Sequence, residues 1–338
     1  MQDLLSRSRW IRALLLYLLA ALVVFCLAPW VGGESISAGQ VVRDLTGDNT
    51  SWSTDTQILI YQRVPRVLLG FLVGGALAVV GSVLQVILRN PLAAPSTLGM
   101  TGAGSVGAVI AISIPHLAFS WGPFSSVQLF ALLGSGVGLL FIYMLARQKQ
   151  GMSMNTLLLA GVTIGILCSA IIPLIKYLAN PDMLVAMDRW MMGGLDVVGY
   201  KELAALFPLL VPGVGMLLLQ GVNLNHITLG EEMALGHGVN VAAVERISFL
   251  AGSLATAGAV SIVGPIFFVG LIVPHIIRRI SGYDQRIVLP GAFLAGGAFL
   301  VLCDIIARTI VAPTEMPVGI ITAILGGPFF ILLLLRKK

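Results

Sequence analysis

The stretch RVPRVLLGFLVGGALAVVGSVLQVILRNPL, residues 63–92, decides the fold class. From position 67 to 88 it carries no charged side chain, and arginines stand at both ends. About 20 mostly apolar helical residues cross roughly 30 Å of hydrocarbon, so this run reads as one membrane-spanning helix. Pro65 suits the first helical turn, where its missing N–H would have had no partner. The rest of the chain repeats the pattern. Apolar stretches at about 13–29, 93–114, 123–146, 154–178, 203–222, 243–263, 265–280, 288–310 and 317–335 bring the count to ten spans. Composition agrees: 338 residues are 57% hydrophobic and 10% charged, with a mean hydropathy of +0.98. An average soluble domain is about 25% charged. The expectation is an all-α polytopic membrane protein, a single domain over residues 1–338, and large soluble domains are excluded.

Arg7, Arg9 and Arg12 precede the first apolar stretch. That stretch resembles a secretory signal but lacks a convincing small-x-small cleavage site, so it reads as a retained helix with its basic end in the cytoplasm. Ten spans then put both termini inside, and most of the 20 Lys and Arg residues fall on that inner side. The net charge of +5 is scattered over span ends, which argues against nucleic acid. Two spans are irregular. Residues 93–114 are crowded with Gly and begin near Pro95, and residues 265–280 are short and carry Pro274. Broken helices are tolerated at membrane depth where neighbours or a wet cavity satisfy the freed backbone. Cys26, Cys168 and Cys303 lie far apart in apolar stretches and read as small buried residues, not as a disulfide or metal set.

An energy source is missing from this chain. No G-x-x-x-x-G-K-[ST] loop occurs, so the chain is not its own P-loop ATPase. Asp304 is the clearest intramembrane candidate for a coupled proton, but Arg308 follows one turn later and an i,i+4 ion pair explains both. G-A-G-S-V-G, residues 102–107, matches a dinucleotide fingerprint as a string and brushes the serine-hydrolase pattern at Ser105. It sits in an apolar span, where small residues serve helix packing. No H-E-x-x-H or Cys/His cluster supports a metal.

The span ends are more informative. Arg63 and Arg66 open the second span on the outer face, and Arg308 ends the ninth there. They are either snorkelling anchors or a docking site for carboxylates of an external partner. Residues 31–62, outside, read as a loop of modest order. Residues 223–242, inside, hold T-L-G-E (Thr228 to Glu231), a capping-box pattern, with Gly236 as a stop and Asn240 as the cap of the next span. A short helix across the inner face is expected there. Glu231 and Glu232 suit a protein partner better than an anionic lipid leaflet.

Taken in order, R-V-P-R-V-L-L-G from Arg63, R-N-P-L-A-A-P-S-T-L-G from Arg89, L-G-H-G-V-N-V from Leu235, G-P-I-F-F-V-G-L-I-V-P-H-I-I-R from Gly264 and P-V-G-I-I-T-A-I-L-G-G-P-F-F from Pro317 resemble a known family. It is the membrane permease subunits of binding-protein-dependent ABC importers for iron-siderophore, haem and cobalamin. The resemblance implies a cobalamin-importer-permease-like fold and a dimer, most simply a homodimer, in a bacterial inner membrane. Two ATP-binding subunits would sit below and one soluble substrate-binding protein above. It implies no cofactor in this chain, with ATP and Mg on the ATPase subunits, and makes the chain a transport subunit and not an enzyme. Docking of the binding protein falls to Arg63, Arg66 and Arg308. ATPase coupling falls to Leu229, Gly230, Glu231, Glu232, Met233, Ala234, Leu235, Gly236, His237, Gly238 and Val239. A cytoplasmic gate maps to Asn90, Leu92, Ser153 and Met154, where Met154 departs from the small polar residue of the family pattern. Two inverted groups, spans 2–5 and 7–10, are also implied. An iron chelate, siderophore or haem, is the first expectation for cargo and cobalamin the next. The rival classes are an ion-coupled secondary transporter and, more distantly, an intramembrane enzyme.

Overall fold

A computed structural model describes residues 7–47, 52–148 and 151–335. Fifteen α-helices are described: α1 (Arg7–Leu27), α2 (Ala38–Thr46), α3 (Thr54–Ile58), α4 (Val64–Ile87), α5 (Met100–Ser113), α6 (Ser126–Ala146), α7 (Met154–Leu178), α8 (Pro181–Met191), α9 (Lys201–Leu219), α10 (Gly221–Thr228), α11 (Glu231–Gly236), α12 (Val241–Val263), α13 (Val269–Ser281), α14 (Gln285–Thr309) and α15 (Val318–Leu335). Two-residue hairpins link α5 to α6 and α6 to α7.

Every expected span has a helix at its place, but they differ in length. Among the described residues, seven segments are long and apolar enough to cross a membrane: Trp10–Trp30, Thr54–Ile87, Ser126–Ala146, Asn155–Leu178, Lys201–Leu219, Val241–Val263 and Gln285–Thr309. Met100–Ser113 and Val318–Leu332 are shorter apolar helices, and α13 has 13 residues with Arg278 and Arg279 in its last turn. The two irregular spans are short because non-helical chain precedes them. Pro95–Leu98 forms a 3-10 turn that Gly99 ends at φ 72°, and residues 264–268 are non-helical up to Phe268 at φ 67°.

The centre of the bundle is α4, packed against α14, α13, α12 and α9. Its crossing with α14 is antiparallel and nearly two-fold symmetric. A Cβ at Gly74 would lie 2.3 Å from the Gly296 carbonyl oxygen, and one at Gly296 2.5 Å from that of Gly74. Gly75 takes the Phe293 ring and Gly297 takes the Phe71 ring, while the two phenylalanines meet edge to face at 6.0 Å. The hexapeptide F-L-x-G-G-A at 71–76 and again at 293–298 builds this contact from both sides. Lipid tails are as apolar as the helices, so close backbone approach across small residues is what holds such a crossing together. Ahead of α12, Asn240 caps the helix through Ala243 N at 3.0 Å.

Two sequence expectations need correction. The described part of residues 31–62, which leaves out 48–51, is more regular than a loop of modest order. It holds α2 and α3, and a π-helical turn, Leu59–Arg63, runs straight into α4. Asp44 organises the segment by accepting hydrogen bonds from Ser53 N at 2.9 Å and Thr56 Oγ1 at 2.7 Å. The second correction concerns T-L-G-E, which forms no capping box. Thr228 belongs to α10 and donates its hydroxyl to Asn225 O, so Gly230 at φ 117° starts α11 without a side-chain cap.

Candidate functional site

Charged side chains gather at the two opposite ends of α4. At its N-terminal end lies a pocket of about 540 Å³ lined by Arg63, Arg66, Arg189, Arg308, Glu34, Asp196 and Glu315, among others. Arg63, Arg66 and Arg308 are only 6%, 8% and 2% exposed, so they are not snorkelling side chains on an open surface. Burying a charge is tolerated when it is paired and hydrogen-bonded, and each arginine has its partners. Arg66 Nε donates to both Asp304 oxygens at 3.0 and 3.1 Å, and its Nη2 lies 2.9 Å from Asp304 Oδ1. The other edge of the same guanidinium bonds Glu315 and lies 3.5 Å from Asp196. Arg308 reaches the Ala28 carbonyl at 3.2 Å, with its Nε 3.1 Å from Asp304 Oδ2 in the expected i,i+4 pair. Arg63 is separate from this pair, donating to the carbonyls of Pro29 and Glu34.

The structure therefore joins Arg66 and Arg308 on one buried carboxylate and leaves Arg63 beside them. Glu315, Asp196 and Arg189 were missed by sequence reasoning. Arg189 lies in the last turn of α8, Asp196 in the connection after it and Glu315 in the connection between α14 and α15, and no spacing in the sequence points from Arg66 to a residue 249 positions away.

At the other end of α4, the chain leaves the helix through a Schellman turn. Asn90 N bonds Gln85 O at 3.2 Å and Arg89 N bonds Val86 O at 3.1 Å, with Arg89 at φ 46°. Glycine usually fills that left-handed position. Arg89 instead extends a guanidinium to 3.5 Å from Glu231 at the start of α11. Asn90 Oδ1 then accepts from Leu92 N at 2.9 Å, fixing the N-P-L turn. Of the other two gate positions, Ser153 caps α7 through Thr156 N at 3.3 Å, and Met154 is that helix's first residue, its side chain outside the described set.

The segment from Leu229 to Val239 forms a compact projection. α11 ends in a second Schellman turn, with Val239 N on Ala234 O at 3.0 Å and Gly238 N on Leu235 O at 2.9 Å. Gly238, at φ 78°, takes the left-handed position, while Gly236 is still helical. Only Ala234 is buried, whereas Leu229, Met233 and Leu235 are 60%, 53% and 57% exposed. The His237 ring stacks on His226 of α10 at 4.9 Å, and its Nδ1 lies 2.7 Å from Met233 O. The start of α14 is tied to α10 through its cap Asp284, which receives Asn225 Nδ2 at 2.7 Å and Arg286 Nη2 at 2.8 Å. Partial burial pushes the Asp284 carboxyl up, but these hydrogen bonds outweigh it and hold it below the usual carboxylate range.

The enzyme-like strings dissolve in this geometry. Ser105 is buried inside α5 with its hydroxyl on Thr101 O at 2.9 Å, and Gly104 and Gly107 press on α6. Among the described residues, no group of three or more His, Cys, Asp or Glu is placed to hold a metal.

Comparison with known proteins gives this arrangement its context. The profile of the FecCD transport family matches residues 18–336. The hemin transport system permease protein HmuU of Yersinia pestis is 39% identical over 298 residues, covering 86% of this chain and 88% of that protein. A cobalamin import system permease protein of Halobacterium salinarum is 40% identical, over 82% of this chain and 73% of its own. A vitamin B12 import system permease of Yersinia enterocolitica is 35% identical over 98% and 94%. A solved structure classed as an inward-facing metal-chelate type ABC transporter superposes with a TM-score of 0.81 at 28% identity, over 97% of this chain and 99% of that one. With matches of this length, a bundle of apolar helices and a charged projection at one end, the chain belongs to the FecCD transport family and is a permease subunit of an ABC importer.

Proposed function

We propose that the chain is one half of a permease dimer, each half with ten spans, that carries a metal chelate inward across the bacterial inner membrane. The favoured cargo is haem or an iron-siderophore. Two separate ATPase subunits, holding ATP and Mg, drive it by alternating access, and a soluble binding protein delivers the cargo. The observation that carries the cargo reading is the metal-chelate class of the superposed structure, which covers 97% of this chain, with the 39% identity to the hemin permease beside it. Cobalamin is the second reading, favoured by relatives at 40% and 35% identity. Proteoliposomes holding the full transporter and its binding protein, offered labelled haem, a ferric siderophore or cobalamin, decide between them. ATP-dependent uptake of cobalamin alone would overturn the chelate reading.

The Arg66–Asp304 end is placed outside and the α11 end inside, following the basic bias of the loops. On this reading the exposed Leu229, Met233 and Leu235 enter a cleft of the ATPase. Arg89 transmits their movement to the N-P-L turn through Glu231. Arg89→Gly is expected to leave thermal stability unchanged or slightly higher, because glycine fits φ 46° at no steric cost. Transport-coupled ATP hydrolysis should nevertheless fall by about threefold or more, the link being a half-exposed pair of modest strength. Unchanged coupling in a normally assembled complex would remove Arg89 from the path.

At the outer end, Arg63, Arg66 and Arg308 are proposed to receive carboxylates of the binding protein. Reversing the charge of Arg66 is a poor test, because it would bury a third carboxylate beside Asp304 and Glu315. Arg63→Gln and Arg308→Gln keep polar side chains and are expected to weaken docking about tenfold, as for one charge pair at an interface. Docking at wild-type strength in both would turn the arginines into purely structural groups.

A further inference from the structure

The docking reading, on which the following rests, meets a difficulty of charge. Four arginines line the outer pocket, Arg63, Arg66, Arg189 and Arg308. Four carboxylates oppose them: Glu34, Asp196 and Glu315 in the lining, and Asp304 beneath. The site is neutral as it stands, and an incoming carboxylate gains little from a cation already paired.

The four carboxylates are not equally committed. Asp304 is 1% exposed and shared between Arg66 and Arg308, so it is fixed. Glu315 and Asp196 keep 44% of their side-chain surface in water, and both lie on the outward Nη1 edge of Arg66. Half-exposed pairs are worth little and exchange readily. Glu315 stands in the connection between α14 and α15, free of any helical hydrogen-bond ladder, and Asp196 in the connection after α8. Beside them Arg308 Nη1, on a residue 2% exposed that also lines the pocket, has no hydrogen-bond acceptor among the described residues.

From this we infer that Glu315, with Asp196 as its auxiliary, is a built-in competitor for the binding protein. It occupies the outward edge of Arg66 in the undocked transporter and is displaced when a partner carboxylate enters. The exchange keeps Arg66 paired at every stage, so no buried cation is left bare, and it sets docking strength low enough for the partner to leave after delivery. Arg308 Nη1, closed to solvent in the undocked state, becomes a second donor for the incoming carboxylate once displacement of Glu315 opens the pocket floor.

The test measures binding of the transporter's own soluble binding protein to the permease–ATPase complex in nanodiscs, over a range of salt. Glu315→Gln keeps the shape and removes the charge. It is expected to lower Kd about three- to tenfold, mainly through a faster association, with a steeper dependence on salt. Asp196→Asn should act in the same direction and more weakly, since its Arg66 contact is longer and it also serves Arg189 at 3.2 Å. Arg308→Gln serves as the reference for docking itself. Weakened docking in Arg308→Gln with unchanged or poorer docking in Glu315→Gln and Asp196→Asn overturns the competitor and leaves the docking site intact. Unchanged docking in Arg308→Gln and Arg63→Gln alike overturns the docking reading on which it rests.

Discussion

Gly74→Ala is expected to lower the melting temperature of the detergent-solubilised permease by on the order of 5 °C or more. The added methyl carbon would stand 2.3 Å from the Gly296 carbonyl oxygen and 2.6 Å from the Leu300 Cβ. Neither obstacle is the free end of a side chain, so relief requires α4 and α14 to separate by about 1 Å. Overpacking typically costs about 1–3 kcal/mol, and the upper end applies where backbone must move. Separation also opens the contacts of Gly75 with Phe293 and of Gly297 with Phe71, which share the crossing. Gly296→Ala inserts its methyl into the same gap, 2.5 Å from Gly74 O. The two changes should therefore be strongly non-additive, the double variant losing clearly less than the sum, because helices already parted accept the second methyl. Gly136→Ala in α6 is the control. A Cβ there meets nothing within 4 Å, and alanine is the better helix former, so its melting should match wild type or exceed it slightly. Thermal curves of these four variants, read against the wild type, check the whole set. A Gly74→Ala permease melting with the wild type would show that the crossing tolerates separation and is not the rigid centre of the bundle.

The contrast between the ends of the helices and their contacts explains what the sequence reveals. Charge-free runs such as 67–88 announce a buried helix because hydrocarbon allows nothing else, and each expected span has its helix. The irregular spans were legible from Pro95 and Pro274, but what shortens both helices is the non-helical chain that ends at left-handed Gly99 and Phe268, and α13 runs on through Pro274. The F-L-x-G-G-A repeat at 71–76 and 293–298 carries no signal by itself, and only the antiparallel pairing of α4 with α14 turns it into a symmetric contact. T-L-G-E misled because Thr228 had a competing use, bonding back to Asn225 inside α10. Asn240, placed just beyond the turn that closes α11, capped as the pattern implies. The arginines were legible as a group at one end of the bundle, and the pairing of Asp304 with Arg308 followed from one helical turn. Their burial was not legible. It depends on Glu315, Asp196 and the Pro29 and Glu34 carbonyls, which reach the site through tertiary packing alone.

Asp304→Ala is expected to have the largest effect of any single change at that site: sharply reduced accumulation of folded permease, or a melting temperature on the order of 10 °C lower. In the wild type one carboxylate, 1% exposed, serves two guanidiniums that are 8% and 2% exposed. Removing one partner of a buried pair costs about 3–5 kcal/mol, because the charge left behind has neither water nor a counter-ion. Here two like charges are left facing each other, with only the half-exposed Glu315 and Asp196 on the far edge of Arg66. Asp304→Asn should fare little better, since its amide nitrogen points a donor at donors. Packing loss and charge burial make opposite predictions for a second substitution. If the cost is electrostatic, Asp304→Ala combined with Arg308→Met should recover a good part of the lost stability, because Arg66 retains Glu315 and no uncompensated cation remains. A loss due to packing would instead deepen when the second side chain is changed. Near-normal stability of Asp304→Ala alone would show that water reaches the arginines through the outer pocket. The same experiment bears on ion coupling. If Asp304 serves only to pair Arg66 and Arg308, uptake by the surviving double variant should still require ATP and be indifferent to a proton gradient. Such a result would make Asp304 a fastening between α4 and α14 that holds the outer end of the bundle together while the other end moves.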